Sequence, residues 1–479
     1  MKKISIFLIT LSLLFAASCD NDFEQVNTDP NNPVKVPANL LLGALIRNSQ
    51  NIYAGGIGSD MSSIWAQHWS KVEYNNEERY TPRQAVIDGH WTISYTNIVY
   101  DAKVMQQLAV EEGNTNLQAI SLIMQANTFQ VLTDLYGPIP FSEAGIKGNL
   151  KPKFDSQEDV YSGIIAMLTQ ADALLANGTG AVPSTSDLIY LGDTSKWKKL
   201  ANSLKLKALI RIAKAPGVNN AAEIATLIAS GKLMTSNSDN ALILNKPVVA
   251  DGNPMYRTLD GRGEFKVSSV LVTKCQTLND PRLANFAKPV GTIYVGNVPG
   301  QETKNYAGTS AVGAFYNKPE LPSVIMSYSQ VEFLLAEAAN EGYIANPDVA
   351  TDVSVSLDHL RKGIAASFAY NGLTSSQASA YFSQPNLIYT GADRIGARKT
   401  IGEQVWFSLY YQGVEAFTEW RRTGFPVLAP AFLGVISEIP SRFFYPTSEN
   451  QLNSANYASA VATLANGDEL TSKLWWDVN

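Results

Sequence analysis

The sequence predicts a mainly α protein of packed helical hairpins, and three observations carry that prediction. Stretch after stretch places apolar residues at i, i+3, i+4 and i+7, and no convincing run of alternating strand residues interrupts them. The two longest stretches, Gln84 to Glu111 and Leu117 to Tyr136, are joined by the short turn EEGNTN, which makes them antiparallel neighbours. Between residues 235 and 321 the pattern gives way to glycine, proline, asparagine and single aromatics, so a long loop-rich section is expected within the helical body.

Composition sets outer bounds. A chain of 479 residues with 45% hydrophobic and 17% charged side chains can bury a large core, and a net charge of -6 gives no basic footprint for nucleic acid. At the N-terminus, Lys2 and Lys3 precede an apolar run from Ile4 to Phe15 and then Ala16, Ala17, Ser18 and Cys19, the three parts of a secretory signal. That run is too short to cross a membrane. Small residues directly before a cysteine resemble the bacterial lipobox, although Ala16 stands where leucine is commonest. Residues 1–18 are therefore expected to be a lipoprotein signal peptide and Cys19 the lipidated first residue of the mature chain. The acidic DNDFE after it resembles the signal that exports such lipoproteins to the cell surface in Bacteroidetes. Residues 19–38, polar and proline-containing, read as a tether, and residues 39–479 as one folded body. Cys275 is then a lone thiol, expected to be buried and inert.

Taken in order, Asn39 is placed to cap a first helix carrying Leu41, Leu42, Leu45 and Ile52, and a second helix is expected over Met61 to Ser70. Lys71 to Arg83 has no helical period and reads as a loop. The long hairpin follows, its second arm stopped by Gly137 and Pro138. Asp155 with Glu158 has the spacing of a capping box for a helix through Val160, Ile164, Leu168 and Leu174. Ser195 to Lys214 is apolar on one face and basic on the other, and the basic face is expected to be solvated. One short helix, Ser268 to Leu278, interrupts the loop-rich section. Ser327 to Tyr343 is the clearest helix of all, with a capping box at Ser329 and Glu332 and a stripe of Val331, Leu334, Leu335 and Ala338. Asp352 to Ala369, Thr374 to Phe382 and Gly402 to Arg422 complete the set, and residues from Gly424 onward return to loop chemistry.

Enzymatic signatures are missing from the sequence. His68, His90 and His359 are scattered, and no H-E-x-x-H, G-x-S-x-G, P-loop or paired cysteine motif occurs. Glu415 and Glu419, one helical turn apart beside Arg421 and Arg422, read as a solvated ion-pair face rather than as an acid and base pair. Neither a cofactor nor a metal site is expected, since the acidic ADGNP loop at residues 250–254 lacks EF-hand spacing for Ca²⁺.

Several stretches together resemble one family. NTDPNNP after the lipobox, LTDLYGPIPFSEA (132–144), WKKLANSLKLKALIRIA (197–213), NDPRLANF (279–286), VIMSYSQVEFLLAEAANEGY (324–343) and the VWFSLYYQGVEAFTEWRRTGFPVL run look like a SusD/RagB-type outer-membrane lipoprotein, in the family's order over almost the whole chain. The resemblance implies tetratricopeptide-like helical pairs with long irregular loops over one side. It implies a cell-surface lipoprotein that captures an oligosaccharide or peptide and delivers it to a partner TonB-dependent, SusC-like transporter. A surface hydrolase and a helical-repeat scaffold are the competing readings.

Saccharide sites set aromatic faces against the apolar sides of sugar rings and ring them with amide and guanidinium groups. Two loops offer that mixture: Tyr74, Asn75, Asn76, Tyr80 and Arg83 in the first, and Tyr294, Asn297, Tyr306 and Tyr316 in the second. They are expected to meet at one ligand site. The competing expectation for each ring is that it packs beneath its own loop. Arg282, in the NDPRL stretch, is expected to be structural. The absence of tryptophan from the middle loops keeps a peptide ligand open beside an oligosaccharide.

Overall fold

The computed structural model describes residues 36–344, 349–390 and 393–479, so the expected signal peptide, the lipobox-like stretch with Cys19 and nearly all of the expected tether lie outside the described residues. The first helix, α1 (Ala38–Ser49), begins after Pro37 without a side-chain cap, and Asn39 lies inside it. The Ala38 N–H is served instead by the Glu112 carboxylate at 2.9 Å, a partner brought by tertiary packing. The helix expected over Met61 to Ser70 is shorter and wider: a π-helical turn, Ile57–Ser62, runs into Ser63–Trp65, and the chain then extends as strand β1 (Trp69–Lys71).

The first arm of the long hairpin is continuous but not uniform. Helices α2 (Gln84–Ile93) and α3 (Tyr100–Glu111) flank a π-helical stretch, Ser94–Val99. The second arm, α4 (Thr115–Tyr136), is capped by Asn114, which accepts from the Leu117 N–H at 3.0 Å, and is buried over almost its whole length. Gly137, at φ 93°, ends it in a conformation that favours glycine. Strands β2 (Ile139–Pro140) and β3 (Phe154–Asp155) pair antiparallel across the following turn. Asp155 does not cap a helix. Its carboxylate takes the N–H groups of Phe141 and Ser142 at 3.1 and 2.7 Å, and Ser156 caps α5 (Gln157–Ala176) by accepting from the Asp159 N–H.

Helix α6 (Thr194–Ile212) packs on α5, and α7 (Ala221–Ala229), which had no sequence expectation, packs on α6. The loop-rich section contributes β4 (Ala241–Ile243), β5 (Phe265–Val267) and α8 (Ser269–Thr277), the last capped by Ser268. Strand β6 (Ser323–Met326) pairs with β4, and β1 with β5, so the sheet content that sequence patterning missed is three two-stranded antiparallel ladders of very short strands. Strands this short hold too few residues to show an alternating pattern.

Helix α9 (Tyr328–Asn340) is almost entirely buried and pairs with α10 (Val349–Tyr370) as a hairpin. Its cap is Ser327, which accepts from the Gln330 N–H at 3.2 Å, rather than the expected Ser329 and Glu332. Those two side chains turn toward α10 instead: the Ser329 hydroxyl donates to the Gly363 carbonyl at 2.7 Å, and Glu332 meets His359 at 2.6 Å. Close packing with α10 outweighs a local cap here. Helix α11 (Ser375–Phe382) carries the reciprocal capping box of Thr374 and Gln377.

The run expected as one helix over Gly402 to Arg422 is two, α12 (Arg394–Ser408) and α13 (Gly413–Thr423), broken where Tyr411 adopts φ 69°. Close contact explains the break. A Cβ on Gly413 would lie 2.2 Å from the Ser63 hydroxyl and 2.5 Å from the Gly58 carbonyl, so only glycine lets α13 meet the π-helical turn. Short helices α14 (Thr447–Leu452) and α15 (Ser454–Val461) close the body.

A buried ionic network ties these hairpins together, and it corrects two expectations. Arg211 of α6 is fully buried and reaches Asp134 of α4 at 3.1 Å and Glu415 and Glu419 of α13 at 2.7 and 3.0 Å. Arg422 bridges Glu337 of α9 and Glu419, both at 2.6 Å. Lys207, Arg211, Glu415 and Glu419 therefore belong to neither a solvated basic face nor a solvated ion-pair face; they lie between helices.

Candidate ligand-binding site

Pairing of β1 with β5 fixes how the two expected loops approach one another. Residues following β1 run alongside residues 297–306, with the Lys304 N–H on the Val72 carbonyl and the Arg79 guanidinium on the Gly300 carbonyl, each at 2.8 Å. Asn297 clamps the junction. Its amide nitrogen faces the Ser70 hydroxyl at 2.9 Å and the Lys71 and Gln301 carbonyls at 3.0 Å, while its oxygen accepts from Thr303 at 3.1 Å. Glu78, also buried, accepts from the Lys71 N–H at 3.1 Å and from Asn75 at 2.7 Å, and burial pushes its pKa up.

A third loop joins these two. The Phe432 N–H bonds the Pro299 carbonyl at 2.8 Å, the Val435 N–H bonds the Arg79 carbonyl at 3.0 Å, and the Ala431 N–H donates to the Tyr80 hydroxyl at 2.6 Å. It presents Phe432, Leu433 and Val435 to solvent. The sequence marks this segment only as loop, although its FLGV run between prolines, apolar without helical period, is a signal for an exposed apolar surface.

The structure sorts the sequence-derived candidates into two groups. Tyr74, 64% exposed, and Tyr306, 41% exposed, stand on adjoining loops with Asn76 and the Arg83 side chain also exposed. Asn75, Tyr80, Asn297 and Tyr316 are buried, because each is consumed in holding loops together. Asn75 is spent on Glu78 and on the Lys71 carbonyl, and Tyr80 lies beneath the third loop against Trp65. Tyr316 is placed among Phe286, Tyr410 and Tyr411 and donates to Asn371 at 2.9 Å. Tyr294 is half-buried against the core. Arg83 pairs with Asp60 at 3.2 Å and with Glu77.

Charge around the exposed rings is locally balanced. The Tyr306 hydroxyl donates to Glu73, which holds that carboxyl below its ordinary range and pushes the phenol up to about 12. Lys304 lies 3.5 Å from both Glu73 and Glu302. Beneath the surface, burial favours protonating Asp60, but Lys71 and Arg262 outweigh it and hold the group ionised. Tyr74, Tyr80, Lys304 and Leu433 all occupy left-handed backbone angles, with φ between 52° and 71°, so strain concentrates where the three loops meet.

Elsewhere, Arg282 is fully buried, bonded to Asp280, Ser367 and Gln404, a structural role. Burial pushes the Cys275 thiol up, and it is a free, enclosed cysteine. Among the described residues no group of three or more His, Cys, Asp or Glu is placed to hold a metal ion. In the ADGNP loop, Asp251 pairs with Lys246 at 2.9 Å and Asn253 caps a short helix.

The SusD-like family model described as "Starch-binding associating with outer membrane" matches residues 30–446. The chain belongs to this SusD-like family. Its members are glycan-binding proteins of the outer membrane, and the mainly α architecture is theirs. A solved chitin-binding protein is 27% identical, with 93% of this chain covering all of that one at a TM-score of 0.79. A SusD homologue from Bacteroides ovatus is 25% identical, over 92% of this chain and 99% of that one, with a TM-score of 0.78. A chitin-binding SusD homologue from Flavobacterium johnsoniae, 23% identical over 92% of this chain and 99% of that one, shares the fold at a TM-score of 0.79. No curated protein matches the chain.

Proposed function

We propose that the protein is a lipid-anchored surface receptor that captures an oligosaccharide on the platform of Tyr74 and Tyr306 and hands it to a SusC-like, TonB-dependent transporter. The observation that carries the site is the pair of exposed tyrosine rings on two loops locked to each other by Asn297. An aromatic ring fixed in place costs little ordering entropy when a sugar stacks on it. Asn76 and Arg83 beside the rings supply donors for hydroxyl groups, and the balanced charge suits a neutral ligand. Family membership supports the glycan class, and the similar chitin-binding protein favours N-acetylated sugars among the ligands to try first. Membership in a family of outer-membrane binding proteins, with no catalytic constellation in the sequence, supports capture rather than turnover.

The test is calorimetry of the parent, Tyr74→Ala, Tyr306→Ala and the double variant against maltooligosaccharides, N-acetylchitooligosaccharides and peptides. Each single change is expected to weaken saccharide binding by up to about tenfold, and the double change to abolish it. A ligand bound equally by all four proteins moves the site elsewhere, and binding of peptides alone replaces the saccharide reading.

A further inference from the structure

A cleft of about 610 Å³ lies between the start of α5 and the C-terminal segment, and it shares no residue with the loop platform. Its volume falls in the range of small-molecule sites, roughly 300 to 1,000 Å³. Leu464 and Leu474 give it an apolar floor, and Trp475 forms part of its wall. Trp475 is held at its backbone: its N–H donates to the Gln157 side-chain oxygen at 2.7 Å, and the Gln157 amide donates in turn to the Thr133 carbonyl of α4 at 2.9 Å. The ring leans on Tyr161, with centroids 6.5 Å apart. It is only half-buried, and its indole N–H meets no acceptor among the described residues. By contrast, the indole N–H of Trp420, also half-buried, is bound to the Pro426 carbonyl at 3.0 Å.

We infer that this cleft is a second saccharide site, with Trp475 as its stacking surface. A rigid aromatic face with a free donor, over an apolar floor, matches the two-sided chemistry of a pyranose ring, which is apolar on its C–H face and polar at its rim. At the cleft the exposed Glu158 carboxylate is set against Lys473, whose ammonium is bonded to the Asn479 carbonyl, so the lining offers no cluster of cations to a phosphate or an acidic peptide and suits a neutral sugar better. The choice of a sugar rests on the glycan reading of the chain, but the site is independent of the platform. Two sites on one receptor would let a long polysaccharide chain be held at two points, with the second contact acting as an intramolecular one.

The experiment follows the indole N–H resonance of Trp475 in ¹⁵N-labelled protein, assigned from its loss in Trp475→Phe, while short maltooligosaccharides, N-acetylchitooligosaccharides and, in a separate arm, short peptides are added. The resonance is expected to shift in the parent and equally in the Tyr74→Ala, Tyr306→Ala double variant. Trp475→Ala is expected to remove one binding event from the calorimetric stoichiometry, and Trp475→Phe to retain it at roughly tenfold lower affinity or better. A Trp475 resonance unmoved by either sugar, one moved only by peptides, or an unchanged stoichiometry in a folded Trp475→Ala protein overturns the inference. Failure of the platform reading looks different: the platform variants then bind like the parent while the Trp475 resonance still shifts.

Discussion

Tyr74 and Leu433 hold left-handed backbone angles of 62° and 57° while their side chains stand mostly in solvent. A non-glycine residue in that region costs about 1–2 kcal/mol, and for Tyr80 or Tyr411 burial of the ring offsets it. Tyr74 and Leu433 have no such offset of their own, so the loops around them maintain the strain, as at sites where side chains must point outward. Two buried histidines show the opposite case, a residue governed by its surroundings. His90 receives the Tyr136 hydroxyl and donates to the Ile52 carbonyl at 3.1 Å, and His68 donates to the Trp406 carbonyl at 2.9 Å. Burial drops their pKa values to about 4 and about 3. Because both lie below the value of about 6.5 for an unfolded chain, the unfolded state takes up protons first as the pH falls. Their contribution to stability is thus whole above about pH 7 and is lost from pH 6.5 downward. The slope is at most about 1.4 kcal/mol per pH unit for each histidine. Urea midpoints of the parent and of His90→Gln, measured between pH 7.5 and 5, should diverge in slope by about one proton, with the parent the steeper.

At the scale of elements, the same buried charges that hold the fold were the hardest to read. Arg211 satisfies carboxylates from α4 and α13 at once, so Arg211→Met leaves Asp134, Glu415 and Glu419 short of a partner in a water-poor interior. Breaking one side of such a pair typically costs about 3–5 kcal/mol, whereas replacing the whole group with apolar side chains is often neutral. Chemical denaturation should therefore find Arg211→Met severely destabilised. It should also find much of the loss recovered when Asp134 is replaced by asparagine and Glu415 by glutamine in the same chain, with Glu419 left to its partner Arg422. The spacing of Glu415, Glu419, Arg421 and Arg422 announced ion pairs, but spacing on one helix says nothing about whether a second helix covers it. Helix identities were legible for a related reason: α4, α5, α9 and α11 carry their periodicity and stops within their own residues. Caps were less so, since Ser329 had two competing partners and only the position of Gly363 decided between them. In the candidate site, composition singled out two loops that the structure places side by side, but it could not separate exposed Tyr74 from buried Tyr80, or exposed Asn76 from buried Asn75. Tertiary partners make the difference: Tyr80 is covered by the Ala431 loop and Trp65, and Asn75 is bonded to Glu78 and the Lys71 carbonyl.

At the scale of the whole molecule, the question is what keeps a receptor of this kind at the outer membrane, where its family acts. No helix among the described residues is long and apolar enough to cross a bilayer. Under the proposed function, attachment rests on a lipidated Cys19 and on the transporter, and these make different demands. Two or three acyl chains on one cysteine supply strong but non-directional anchoring, through about 0.8 kcal/mol per buried methylene, whereas a partner barrel supplies a specific contact that survives detergent. Replacing Cys19 with alanine should leave the signal uncut or the mature chain unlipidated, and should move the protein out of the detergent-extracted outer-membrane fraction. In the parent, mass spectrometry should find an acylated N-terminal cysteine, and gentle extraction should recover a TonB-dependent barrel together with the chain. If Cys19→Ala stays in the outer-membrane fraction at the parent level but comes away when the barrel is deleted, the barrel alone is the anchor. If the parent is recovered without a barrel under several mild detergents, the hand-over to a transporter fails, while capture at Tyr74 and Tyr306 remains a separate question answered by calorimetry.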